Sequence, residues 1–194
     1  MRNVVFLVPF CFLSFFVFAQ EDPVVWRQLK TITNEHYHLR VPENFRQIRN
    51  LGRGLEQFFE ASGVGLPITF NQGPVIVTIF LMRESCSSLD DCKRQCLEGY
   101  RINRDRVFSA DWQDTQEKLP LENGDEAWLL HTRFYRQSKG LHQSRFDLVA
   151  YSNKAKAGYL YTLSVQHVDG TYKVEGDLGI PAFAKALFSR FQLR

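Results

Sequence analysis

The 194-residue chain is poor in sulfur, with 4 Cys and 2 Met, and it carries little surplus charge. Lys and Arg number 24 against 21 Asp and Glu, a formal net charge of +3. So slight a balance excludes a dedicated nucleic-acid binder, which needs a basic footprint. No internal repeat and no low-complexity tract occurs, so neither a solenoid nor a biased linker is in view. The Asn-x-Ser/Thr sequon is missing. So are a Gly-rich phosphate loop, a His-Glu-x-x-His pair and a Gly-x-Ser-x-Gly elbow, and with them three common catalytic signatures. No cofactor is expected. Aromatics are plentiful, at 14% of the chain with 17 Phe, which excludes a disordered polymer.

Long apolar runs are equally scarce, with one exception at the start. The first twenty residues read "MRNVVFLVPFCFLSFFVFAQ". Arg2 supplies a basic beginning, residues 4 to 18 are almost wholly apolar, and Ala19 is a small residue suited to cleavage. The run is short of the ~20 residues that span a bilayer. Residues 1–19 are therefore expected to be a signal peptide removed after Ala19, leaving no transmembrane segment. Val8-Pro9-Phe10 lacks the small residue of a lipoprotein signal, so Cys11 is expected to leave with the leader. The expected location is outside the cytoplasm, periplasmic or secreted. Residues 20–35 then read as an N-terminal extension and 36–194 as a single domain, a size that buries a sizeable core.

Through the extension and the domain the apolar spacing alternates between two periods. Val25, Trp26, Leu29 and Ile32 fall at helical spacing and predict a short helix over 24–32. Tyr37, Leu39 and Val41 alternate with polar residues and predict a strand stopped by Pro42. Phe45, Ile48, Leu51, Leu55, Phe58 and Phe59 recur every three or four residues and predict a helix over 45–59, weakened by Gly52 and Gly54. "ITF" and "PVIVTIFLM" read as strands around a Gln72-Gly73 turn, the second apolar on both faces and hence central.

Ser87 and Ser88, each three residues before an Asp, predict a capped helix start. Leu89, Cys92, Cys96 and Tyr100 share one side of that helix. Phe108, Ala110 and Trp112 alternate. An antiparallel meander follows: a hairpin turn at Asn123-Gly124, "EAWLLHTRFYR", a turn at Ser138-Lys139-Gly140, "LHQSRFDLVAY", "YLYTLSVQH" and a turn at Asp169-Gly170. Pro181 opens a last helix with the stripe Phe183, Ala184, Leu187, Phe188 and Phe191. The fold class is α+β, a mostly antiparallel sheet sandwiched by helices.

The opening "YHLRVPENF", the helix after the central strand, the hairpin "ENGDEAWLLHTRF", then "RFDLVAYSN", "GYLYTLSVQ" and an amphipathic terminal helix resemble the PsbP-like and DcrB-like α/β/α sandwich proteins. The resemblance covers roughly residues 36 to 193. Phe45 stands where many such proteins carry Trp, and the cysteine cluster lies outside the pattern. The resemblance implies an accessory, assembly or chaperone-like factor rather than an enzyme.

The chemistry concentrates in "ESCSSLDDCKRQC", residues 84 to 96. A structural zinc site wants four ligands in paired hooks, and Cys86, Cys92 and Cys96 supply three at the wrong spacing. His131, His142 or His167 would have to complete it from elsewhere in the fold. A reactive thiol at Cys92 would gain from the helix N-terminus, but no base accompanies it in sequence. Export favours a disulfide instead. Loop entropy barely separates Cys86–Cys92 from Cys86–Cys96, at ~2.4 and ~2.8 kcal/mol. Geometry favours the first pair, because Cys96 lies a further turn, about 6 Å, up the helix. Cys86–Cys92 is therefore expected as a staple, with Cys96 buried.

His36 and His38 share a predicted strand face with Arg40 and form a possible chelating pair. Arg101, Arg104 and Arg106 form a possible basic contact for an acidic partner, although such charges usually just meet solvent. No metal is expected. The sequence reading is an exported, non-enzymatic binding or assembly factor with a protein or peptide partner in the cell envelope, and no nucleic acid. The alternative is a thiol- or metal-dependent enzyme using the cysteine cluster.

Overall fold

Alternation of large apolar side chains favours strands over most of the described residues, and helices enter where the period lengthens. A computed structural model describes residues 29–48, 55–62, 75–107, 113–136, 141–167 and 179–194. Its elements are β1 Leu29–Thr33, β2 Tyr37–Pro42, β3 Arg46–Gln47, β4 Leu55–Ser62, β5 Val75–Glu84, α1 Leu89–Val107, β6 Gln113–Pro120, β7 Glu126–Arg136, β8 Leu141–Ser152, β9 Ala157–His167, α2 Gly179–Phe188 and β10 Gln192–Leu193. Seven strands form one antiparallel sheet in the order β3-β4-β5-β9-β8-β7-β6, and three form a second in the order β1-β2-β10. With two helices this is an α+β sandwich.

Two expected helices are replaced by strands. Leu29–Thr33 pairs in register with Pro42 to His38 instead of coiling. The 45–59 stretch, where described, is β3 and the start of β4, paired Arg46↔Glu60 and Gln47↔Phe59. A register shift between Leu55 and Gln57 accounts for part of the misleading spacing, from Leu55 to Phe59. A bulge inserts one residue and moves the alternation out of phase, so apolar residues recur at mixed intervals that imitate a helix. The leader, residues 24–28, "ITF", the Gln72-Gly73, 138–140 and Asp169-Gly170 turns, and residues 108–112 lie outside the described residues.

The other elements follow local rules. β5 lies inside the sheet between β4 and β9. Gly124 closes the β6–β7 hairpin at φ 87°, a left-handed conformation that glycine adopts without a steric penalty. The Leu121 N–H donates to Asp125 O at 2.9 Å across that turn. β7, β8 and β9 are long neighbouring strands in continuous antiparallel register.

Each face of the large sheet is covered by a different layer. On one face, β2, α2 and Phe191 close over Ile79, Leu148, Tyr159, Tyr161 and Leu163 in a single apolar cluster. The Tyr161 ring meets Phe188 edge-on at 4.7 Å, and its hydroxyl donates to Arg40 O at 3.0 Å, tying β2 to the sheet. On the opposite face α1 lays Cys92 and Tyr100 on Leu130, Val149 and Leu160.

Candidate binding cleft

The start of α1 is fixed by its own side chains. Ser88 Oγ accepts from the Asp91 N–H at 3.2 Å, and Ser88 O accepts the first helical bond, from Cys92 N, at 2.9 Å. The Asp91 carboxylate accepts from the Ser87 N–H at 2.9 Å and from Arg94 at 2.6 Å. These bonds, the backbone one foremost, hold the Asp91 carboxyl well below the usual carboxylate range. Ser88 is thus the cap, and the acid reaches one residue further back than in a standard capping box.

Cys86 and Cys92 are joined by a disulfide with Cα atoms 5.2 Å apart. The bond lies flat on β9 at Gly158, where a Cβ would run into both sulfurs. Glycine at 158 therefore lets the helix start approach the sheet. Cys96 is a free thiol, half-buried. Burial, reinforced by the Asp147 charge, pushes that thiol well above its ordinary range. A neutral thiol is a poor nucleophile.

The pairing register lays out the sheet face beneath α1 in rows. Glu84, Gly158 and Tyr151 form the first, Met82, Leu160 and Val149 the second, Phe80, Thr162 and Asp147 the third, and Thr78, Ser164 and Arg145 the fourth. Arg145 turns back towards the third row. Its Nε donates to Asp147 Oδ2 at 2.7 Å and its Nη2 to Oδ1 at 3.1 Å. The Thr162 hydroxyl also donates to the Asp147 carboxylate. Asp147 is fully buried, whereas Arg145 keeps 26% of its side chain exposed. The guanidinium carbon sits 5.6 Å from the centre of the Phe80 ring and 5.5 Å from that of Tyr100. Burial drives the Asp147 carboxyl up to about 8 against the hydrogen bond from Thr162, and the two-pronged contact with Arg145 partners it in that covered position.

Between α1 and these rows runs a cleft of about 300 Å³. Met82, Val149 and Leu160 wall it, Arg145 and Tyr100 stand towards one end, and Glu84 and Gln95 towards the other. Gly99 faces it from the helix, and a Cβ built there would meet nothing within 4 Å. Glycine costs a helix interior about 1 kcal/mol relative to alanine. Here its missing side chain leaves the space open.

The residues singled out from sequence are dispersed. His36 precedes β2 and pairs through Nε2 with Glu35 at 3.1 Å. His38 Nδ1 lies 2.8 Å from the Thr33 hydroxyl. Each ring has its own partner, and both sit in the layer opposite α1. Among the described residues no three His, Cys, Asp or Glu side chains gather to hold a metal. Arg101 pairs with Glu98 at 2.7 Å on the exposed side of α1. Arg104 is exposed on the same helix, and Arg106 belongs to α1 with its side chain outside the described residues.

Sequence reasoning missed Arg145, Asp147 and Gly99. One signal was available: β8 carries apolar residues on both faces, so a charge on either face must be covered and paired.

No family model and no curated protein matches the chain. Solved structures do. The Saccharomyces cerevisiae Ran-binding protein Mog1p is 6% identical, with 86% of this chain and 95% of that chain aligned at a TM-score of 0.54. A Mog1 variant is also 6% identical, with 86% and 96% covered and a TM-score of 0.57. LpqN, involved in cell envelope biogenesis of Mycobacterium tuberculosis, is 13% identical, with 86% and 90% covered and a TM-score of 0.47. The Mog1 likeness shows a shared fold: this chain has the α+β sandwich of the Mog1/PsbP-like proteins.

Proposed function

We propose that this chain is an exported, non-enzymatic binding or assembly factor of the cell envelope, acting on a protein or peptide partner. The carrying observation is the chemistry of the cleft. Cys86 and Cys92 are bonded, burial holds Cys96 as a neutral thiol, and Arg145 is locked to Asp147. Such a site holds a ligand without transforming it. The thiol-enzyme alternative needs a thiolate at Cys96, which burial and the Asp147 charge oppose. Export is supported by the leader-like residues 1–19 and by the disulfide. Yeast Mog1p, with the same fold, is a Ran-binding protein, so the sandwich suits a protein-binding role. Among the described residues no helix is long and apolar enough to cross a membrane.

The test is expression from the natural start, intact mass of the recovered chain, and capture of envelope proteins on it. The expected product begins at Gln20 and recovers an envelope protein that recovers it in return. A chain that keeps residues 1–19 and stays in the cytoplasm overturns the reading.

A further inference from the structure

The cleft is asymmetric along its length, and that asymmetry selects a chemistry. Cys92 and Tyr100 mark its two ends on α1, eight residues apart, or about 12 Å at the helical rise. At the Cys92 end stands the Glu84 carboxyl; at the Tyr100 end stands the Arg145 guanidinium. Between them the sheet offers Met82, Leu160 and Val149, without a charge.

Arginine has five N–H donors in a planar fork. Two of its nitrogens, Nε and Nη2, are engaged by Asp147, and among the described residues the Nη1 donors make no hydrogen bond. Asp147 fixes the fork from beneath, and the Phe80 and Tyr100 rings bracket it. The exposed edge is therefore a rigid cationic donor pair beside an apolar trough. Rigidity matters because an already ordered guanidinium loses little freedom on binding.

We propose that this cleft binds the carboxylate end of an aliphatic chain, with the carboxylate on Arg145 and the chain along Met82, Leu160 and Val149 under Gly99. Glu84 sets the direction, since a reversed ligand would place two carboxylates together. Two sources share this chemistry: a medium-chain fatty acid, and the C-terminal residues of an apolar peptide. The inference rests on the binding reading above and specifies its ligand.

Calorimetric titration of decanoate and of N-acetyl-Leu-Leu into the chain from Gln20 to Arg194 tests it and separates the sources. At least one of the two should bind saturably at one site per chain. Decanol, which has the same chain and no charge, should bind at least about tenfold more weakly than decanoate, the scale of one hydrogen bond to a charged group. Gly99→Leu, which fills open space without a clash, should abolish binding while the melting transition persists. Absence of saturable binding by both carboxylates overturns the inference, as does undiminished binding by a folded Gly99→Leu chain or equal binding of decanol. Envelope capture by Gly99→Leu keeps the two readings distinguishable. Full capture without carboxylate binding overturns only the ligand assignment, whereas carboxylate binding without any envelope partner overturns only the assembly role.

Discussion

On the α2 side of the large sheet, Tyr37, Tyr159, Tyr161, Phe188 and Phe191 meet ring to ring and are all buried. On the α1 side, among the described residues, Cys92, Tyr100, Leu130, Val149 and Leu160 form the buried apolar cluster, beside a charge pair and an open cleft. One face is thus filled and the other is held at a distance. The contrast separates the layer that sustains the fold from the layer with room for a ligand. Close packing makes a core intolerant of lost volume, while a surface left partly unfilled tolerates additions.

The largest expected effect lies on the filled face. Phe188→Ala should cost about 3–5 kcal/mol by urea denaturation, well above the cost of Leu160→Ala beside the cleft. Equal losses would break the contrast. Next comes the charge pair. Asp147→Ala leaves Arg145 without its counter-ion and should cost about 3–5 kcal/mol, whereas Asp147→Leu combined with Arg145→Met should be close to neutral in stability. A neutral single variant would show that the pair is solvated rather than part of a covered face.

A smaller loss is expected from Cys86→Ser, about 2.4 kcal/mol from loop closure. Non-reducing peptide maps of the parent should show Cys86 bonded to Cys92, and Cys96 should label slowly until denaturant is added. The smallest change is a gain. Gly99→Ala should stabilise by about 0.5–1 kcal/mol through helix propensity, measured as a rise in melting temperature. A destabilised Gly99→Ala chain would mean that the space between the helix and the sheet is not open.

Legibility in the sequence followed the range of the contacts. The meander Glu126–Arg136, Leu141–Ser152 and Ala157–His167 was readable because each strand pairs with its neighbour and alternates cleanly. Phe183, Ala184 and Leu187 announced α2 because a helical stripe is likewise read from neighbouring residues, at a spacing of three or four. The Leu55–Phe59 part of the 45–59 stretch was misread because a bulge at Leu55/Gln57 shifts the side-chain phase. Leu29 and Ile32 fitted a helix because they lie three apart on a strand of only five residues, too short to show its alternation, although the β1–β2 hairpin is itself local. In the site, Cys86–Cys92 could be reasoned out from a seven-residue window. Arg145 and Asp147 were missed because two charges at alternate positions on a strand look like a solvated face unless the apolar residues on both faces of β8 are weighed with them.

The position of β5 also bears on the order in which the molecule assembles. It pairs with β9 along its whole length, so the middle of the sheet joins segments from opposite halves of the chain. Hairpins such as β7–β8 and β8–β9 close within about 10 μs. Docking β5 against the finished meander is a high-contact-order step, and such steps dominate slow folding. α1 follows β5 directly, so the helix that covers Arg145 and Asp147 arrives with it. Vectorial delivery that presents the N-terminal half first leaves β5, apolar on both faces, waiting for a partner made much later. That strand is the stretch a holding chaperone has to cover, and the first to nucleate aggregates when folding is interrupted.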